Sequence, residues 1–414
     1  MILTAEEERM RRGEMGPAVR DAIELQIKVG EFWGAERFVP ITNAHMMGDI
    51  EVMGEAGKGF LERVKEMGGQ CRTMTSTNAR CVDFSYAERL RQDPAEVGKE
   101  HQVIRFLRDL NVTTVDTCIN YQTVYQPHQG EHVAWGDTGT VIYANSVFGA
   151  RTNFEGGPVA LAAAMTGRTP AYGFHLDEHR RGSFLVELDL DLDDYADWGA
   201  IGKLVGEPNQ NYFSVPVFTG VKRTPTADEL KHLGAALASY GSMAMFHMVG
   251  VTPEARTVED AFHDRKPTHT MRITRADLDA LYAGFKDDAS DSNLFVFSAP
   301  QQSIYELKRL AELFAGRRVK PGTTVIVTTS HGVKAQAQPL GYIRTLQEAG
   351  VLILEGVCFY ILQNLPQMRI ENGWSKLVTN SAKLANIIKA HKFDPVLRRT
   401  QECVDAATLP GVQQ

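Results

Sequence analysis

Residues 212–251 read YFSVPVFTGV, then KRTP, then TADELKHLGAALASYG, then SMAMFHMVGV. The two outer runs are short, apolar and rich in Val, Phe and Met, as strands are. The segment between them carries its apolar residues at helical spacing. Strand, helix, strand is the unit of a parallel sheet with covering helices. The same alternation recurs on both sides. NLFVFSA (293–299) precedes the helix SIYELKRLAELFAG (303–316), and TTVIVTTS (323–330) precedes AQPLGYIRTLQEAG (337–350). Upstream, RFVPIT (37–42) reads as a short strand, NAHMMG (43–48) as a polar loop and GFLERVKEMGG (59–69) as a helix. Two helices open the chain. In LTAEEERMRRG, Thr4 is placed as N-cap, Glu7 as its reciprocal partner and Gly13 as the stop; GPAVRDAIELQIKVGEFWG follows directly. The fold class expected is α/β with mostly parallel sheets.

At 414 residues, 43% hydrophobic and 23% charged, the chain is long enough for two or three α/β subdomains. The acidic stretch FKDDASDSN (285–293) marks a join near 285–292. The alternating VELDLDLDDYADWGAIGKLVG (186–206) reads as an edge strand with a solvated face, leading into a helix. The formal charge is -7 and no basic run would track a phosphate backbone, so nucleic acid is not an expected partner. The first residues lack the apolar core of a signal peptide, and no later stretch offers a run of apolar residues long enough for a membrane span. A cytoplasmic protein without a membrane segment is expected. Five widely spaced cysteines suit a reducing compartment, where thiols are buried or act as ligands.

Chemistry-bearing residues concentrate in 117–158, TCINYQTVYQPHQGEHVAWGDTGTVIYANSVFGARTNFEGGP, which holds Cys118, His128, Glu131, His132, Asp137 and Arg151. A loop so rich in glycine and polar groups reads equally as a site or as a buried turn whose Asn, Ser and Thr satisfy backbone groups; spacing leaves both open. No Cys-x-x-Cys pair is present, so neither a zinc ribbon nor a ferredoxin-type cluster is signalled. A lone cysteine is usually a small core residue. Yet Cys118 follows TVDT, Cys358 follows LILEGV, and Cys403 lies in the polar-flanked RRTQECVDAA. Three thiols at strand ends and helix starts could converge on one metal.

Several stretches carry a resemblance: GEHVAWGDTGTVIYANSVFGARTNFEGGP (130–158), AAMTGRTPAYGFH (163–175), EEERMRRGEMGPAV (6–19), AHMMG (44–48) and VTNSAK (378–383). Over nearly its whole length the chain resembles the large subunit of the aconitase X family of hydro-lyases. That resemblance implies an aconitase-like large subunit of several α/β subdomains around a central iron–sulfur site held by three cysteines. Matched motif by motif, TCINY points to Cys118, LEGVCFY to Cys358 and ECVDAA to Cys403, while Cys71 and Cys81 have no match. The cluster implied is a 4Fe–4S form or a smaller 2Fe–2S or 3Fe–4S form.

A cluster with three protein thiolates leaves one iron open to act as a Lewis acid on a substrate hydroxyl. A base then removes the proton beside the carboxylate, while cations and amides hold the charge that develops. On this reading Lys383, Ser381 and Arg151 are the expected catalytic residues, and Asn145, Ser146, Thr152, Asn153, His45, Asn78 and Asn380 the expected substrate contacts. His175 and Arg180 either touch substrate or pair with Asp177 and Glu178. The family also carries a small swivelling domain that supplies a catalytic serine. It is absent from these 414 residues, so a separate small subunit is the expected partner. Family activities are dehydration of cis-3-hydroxy-L-proline to Δ1-pyrroline-2-carboxylate and dehydration of mevalonate 5-phosphate. The absence of an evident basic cluster for a phosphate favours the former. From another class, a non-catalytic iron–sulfur binding or sensor protein is the alternative.

Overall fold

The structure, a computed structural model, describes residues 1–263, 265–285 and 289–409. At the start, the Thr4 hydroxyl accepts from the Glu7 N–H at 3.3 Å and the Glu7 carboxylate accepts from the Thr4 N–H at 2.7 Å. This reciprocal cap opens the helix Ala5–Arg11 as its sequence predicts, and Pro17–Phe32 follows as the second helix.

Strands β1 (Phe38–Pro40), β2 (Asn43–Met46), β3 (Met74–Thr77), β4 (Ala134–Trp135) and β5 (Arg168–Pro170) belong to the first stretch of chain. Here β3-β2-β4 form a parallel sheet, while β1 and β5 pair antiparallel. Next come β6 (Phe184–Asp189), β7 (Pro216–Thr219), β8 (His247–Met248) and β9 (Thr270–Thr274), parallel in the order β8-β7-β6-β9. Last are β10 (Leu294–Gln302), β11 (Thr324–Thr329), β12 (Leu352–Glu355), β13 (Lys376–Thr379) and β14 (Asp394–Leu397), parallel in the order β12-β11-β10-β13-β14. The protein is thus α/β with mostly parallel sheets. Its helices cover sheet faces that are apolar on both sides: β10 is buried along its whole length.

Two expectations are corrected. NAHMMG is not a loop: residues 43–46 form β2, the middle strand of its sheet, buried throughout. Its polar residues are accommodated because neighbouring strands satisfy them. Asn43 Nδ2 donates to the Met74 carbonyl at 3.0 Å, Trp135 Nε1 donates to Asn43 Oδ1 at 2.8 Å, and His45 Nδ1 lies 2.8 Å from Ser76 Oγ. The acidic tract does not form an edge strand either. β6 lies between β7 and β9, with Phe184, Val186 and Leu188 buried and Glu187 and Asp189 exposed, so one face is solvated while both edges are paired.

The helices Tyr195–Gly206 and Ala227–Gly241 cross at backbone contact. A side chain at Gly202 would meet the Leu233 carbonyl at 2.8 Å, and one at Gly206 would meet the Gly241 N at 2.9 Å. This close crossing carries Lys231 into the interior, where it pairs with Glu306. Part of the expected join, residues 286–288, lies outside the described residues. Among the described residues no helix is long and apolar enough to cross a membrane.

Candidate active site

In parallel α/β sheets the carboxyl ends of the strands leave a crevice where ligands gather. Here the ends of strands from two sheets face one cavity of about 230 Å³. Asn78 follows β3, Asp137 follows β4, Ala299 lies near the end of β10 and Cys358 lies just past β12. Lys383 stands in the helix after β13, and Cys118 completes the polar wall; Phe154, Tyr360, Ile361 and Ile387 supply apolar surface. The β4 exit is tight, because a side chain at Gly136 would lie 2.3 Å from the Glu155 carbonyl oxygen and 3.2 Å from that of His45. That approach aims Asp137 at the cavity, where its carboxylate also caps the helix Thr138–Tyr143 by accepting from the Gly139 N–H at 2.9 Å.

Lys383 Nζ lies 3.7 Å from Asp137 Oδ1, with both side chains nearly buried. Burial is the largest influence on Lys383 and works against its charge, but Asp137 together with the neighbouring Cys118 and Cys358 outweighs it, and the ammonium is held above its ordinary range. Burial, reinforced by the nearby Cys358 and Asp137, pushes the Cys118 thiol up to about 12. Cys358 is raised for the same first reason, with Lys383 pulling the other way. Behind this wall, burial lowers His45 to about 4, so its imidazole is neutral. His45 Nε2 and Asn78 Oδ1 are buried without a well-formed hydrogen bond.

Of the residues expected in the site, the structure brings Cys118, Cys358, Lys383 and Asn78 to this cavity, with His45 directly behind Asn78. Ser381 stands at its edge. Its hydroxyl donates to the Ala299 carbonyl at 2.6 Å and caps its helix by accepting from the Leu384 N–H at 3.1 Å. Asn380 Nδ2 is turned to Thr400 Oγ1, 3.0 Å away.

The tract at 145–153 does not line the cavity. Asn145 Nδ2 donates to the Thr152 and Ala244 carbonyls, both at 2.9 Å, and Asn145 Oδ1 accepts from the Thr152 N–H at 3.0 Å. Ser146 Oγ accepts from the Phe246 N–H, and Thr152 Oγ1 from that of Trp135. Asn153 bridges the Tyr172 carbonyl and the Phe174 N–H. Arg151 donates to the His175 carbonyl at 2.9 Å and pairs with Asp177. Arg180 pairs with Glu254 rather than with Asp177 or Glu178, and His175 faces His132 at 2.9 Å. These groups hold a buried corner together, the second of the two readings the spacing left open.

A cluster on three cysteines needs three thiols around one space. Two converge and Cys403 does not. It lies in the helix Thr400–Ala407, whose buried residues Thr400, Cys403, Val404 and Ala407 fall at positions i, i+3, i+4 and i+7. This stripe faces the hydrophobic core, and the Cys403 sulfur lies 3.6 Å from the Arg398 carbonyl oxygen. Among the described residues no group of three or more His, Cys, Asp and Glu could hold a metal ion. The residues present therefore do not fit a cluster held by three cysteines of this chain. Cys71 and Cys81 are buried in a separate core.

Asp137 stands among the chemistry-bearing residues of 117–158 but carries no assigned role in the sequence reading, and two further residues of this region, Gln301 and Ala299, escape it. Gln301 gave no motif, yet its side chain ties the Cys118 N–H, the Thr117 hydroxyl and the Val357 carbonyl together. Ala299 carries no chemistry of its own.

Comparison with known proteins places the chain in a family. Residues 1–178 match the aconitase X first domain, 182–283 the second and 292–409 the third. The chain is 33% identical to the phosphomevalonate dehydratase large subunit of Thermococcus kodakarensis, over 98% of this chain and 100% of that one. It is 34% identical to the cis-3-hydroxy-L-proline dehydratase of Pseudomonas aeruginosa, over 93% of this chain and 66% of that longer one. The crystal structure of Thermococcus kodakaraensis aconitase X in its holo-form superposes with a TM-score of 0.88 at 33% identity, covering 98% of this chain and 100% of that one.

Proposed function

This chain belongs to the aconitase X family, whose curated relatives are dehydratases and so hydro-lyases, and on that premise we propose that it is the large subunit of a dehydratase acting on cis-3-hydroxy-L-proline. The observation that carries the substrate reading is the Lys383–Asp137 pair, one cation and one anion 3.7 Å apart in a small, partly apolar cavity. Such a pair complements a compact zwitterion: Lys383 takes the carboxylate and Asp137 the ring ammonium. No arginine lines the cavity among the described residues. A phosphate ester would call for further donors there, and this weighs against mevalonate 5-phosphate despite the names of several relatives.

The chemistry follows from those positions. The α-proton leaves, electron density moves into the carboxylate, and the C3 hydroxyl departs with a proton as water. The enamine so formed tautomerises to Δ1-pyrroline-2-carboxylate. Lys383, kept charged because Asp137, Cys118 and Cys358 together overcome the cost of burial, stabilises the enolate-like charge where it develops. None of the cavity's own groups suits the role of base. Asp137 is engaged by Lys383 and by the helix N-terminus, and Cys118 holds its proton up to about 12. The base is therefore assigned to a small subunit, in keeping with relatives that are named large subunits. All five cysteines are free, which supports a reducing, cytoplasmic setting.

The test is to co-purify the chain with its small subunit and offer both substrates. Formation of Δ1-pyrroline-2-carboxylate from cis-3-hydroxy-L-proline is expected. Turnover of mevalonate 5-phosphate alone would overturn the substrate reading, and full turnover by the isolated chain would overturn the assignment of the base.

A further inference from the structure

The two converging thiols are joined by a bulged turn of chain at residues 298–301, inside β10, where its register against β11 shifts. At one end of the turn, Ser298 Oγ accepts from the N–H of Phe359, the residue after Cys358, at 3.1 Å. At the other, the Gln301 N–H donates to Cys118 Sγ at 3.3 Å. The turn is braced on every side. The Gln301 side chain ties it to the segments that carry both cysteines, Ser381 holds the Ala299 carbonyl at 2.6 Å, and buried Lys231 donates to the Gln301 carbonyl at 3.2 Å. Between these two contacts stands Ala299, 1% exposed, lining the cavity with Cys118 and Cys358. Its φ of +52° is a conformation that L-residues seldom adopt. Residue 299 thus lines the same cavity as the two thiols, and the side chain it has to offer there is a methyl group.

We propose that Ala299 occupies the third-ligand position of a cavity otherwise laid out for a three-thiolate iron–sulfur cluster, so that this chain keeps two of the three thiols and holds no resident three-cysteine cluster. Cys403 does not make up the difference, because its sulfur is turned into the core on the helix Thr400–Ala407. The positive charge available to substrate from this chain's cavity is then the Lys383 ammonium. The inference rests on the cavity being the site described above, but not on which substrate it takes.

The experiment reads iron rather than turnover, so an inactive enzyme would count against the dehydratase reading and leave this one standing. The full chain is prepared anaerobically and reconstituted with ferrous iron and sulfide, and bound iron, bound sulfide and visible absorbance are measured. The parent is expected to retain well under one iron per chain, whereas a three-thiolate cluster would bring about three to four. Ala299→Cys is expected to raise bound iron severalfold and to bring up the brown absorbance, and Ala299→Ser is not. Adding Cys358→Ser to Ala299→Cys should abolish the gain. A parent that takes up a full cluster and loses it on Cys403→Ser would overturn the proposal. So would an Ala299→Cys protein that melts like the parent yet gains no iron. Should Ala299→Cys fail to fold, the iron content of the parent decides alone, a low value upholding the proposal and a full cluster overturning it.

Discussion

The corner at 145–153 and the cavity at Cys118, Cys358 and Lys383 are both polar, both buried and both rich in residues that carry chemistry. They differ in who satisfies them. Around Asn145 the side-chain groups find backbone partners at 2.9–3.0 Å, so little is left for a ligand. In the cavity the ion pair is loose at 3.7 Å, and Asn78 Oδ1 lacks a well-formed hydrogen bond. Buried polar groups that the protein satisfies itself make a rigid corner; those it leaves unsatisfied are where a ligand gains most. The largest expected effect follows. Lys383→Met removes the cavity's cation and should lower kcat/KM of the two-subunit enzyme about a hundred- to a thousandfold, with thermal unfolding close to the parent's. A rate within about threefold of the parent would assign the ion pair to structure.

The mirror-image change falls on the corner. Asn145→Ala leaves the Thr152 N–H and the Thr152 and Ala244 carbonyls buried without partners, at a cost of about 3 kcal/mol in folding stability. Activity per folded molecule should stay near the parent's. Denaturant titration and a rate measured on the same preparation separate the two outcomes, and a large loss of rate at unchanged stability would return the corner to the active site.

Acid should find the corner as well. Burial, with Arg180 and Arg151 nearby, lowers His175 to about 3, against about 6.5 in an unfolded chain. Between those values the unfolded state binds a proton that the native state refuses, so stability falls as pH falls. The contribution lost near pH 5 is about 2 kcal/mol. In His175→Gln the fall in unfolding free energy between pH 7 and pH 5 should be shallower by about that amount; an unchanged slope would mean that the imidazole is charged in the folded state.

How much of this was legible in the sequence depended on the range of the interactions. The alternation around residues 212–251 and the Thr4–Glu7 cap are local patterns, and both stand in the fold. Cys118, Cys358 and Lys383 were found through motifs, and the geometry gathers them. β2 was misread because Asn43 and His45 are satisfied by Met74, Trp135 and Ser76, distant in sequence and invisible to a local reading. Cys403 was misread although its stripe with Thr400, Val404 and Ala407 was visible, because a motif match outweighed helical periodicity. Ala299 had no signal to give: a missing ligand shows only when the space around it is known.

The smallest effect sharpens the comparison most, because it falls on the residue first expected to hold substrate. Arg151 reaches the His175 carbonyl at 2.9 Å with one nitrogen and Asp177 with another. It stands outside the cavity, and Asp177 is largely exposed. Lysine keeps the charge and one of the two contacts but loses the planar fork. An ion pair with one exposed partner is worth little in water. Arg151→Lys should therefore cost about 0.5 kcal/mol in stability and change the rate of the two-subunit enzyme by no more than about twofold. Were Arg151 a carboxylate clamp, the same substitution would cost about a hundredfold in kcat/KM. A loss of that size at unchanged melting temperature would mean that the corner moves toward substrate when the small subunit binds, and the division drawn between the two regions would fail.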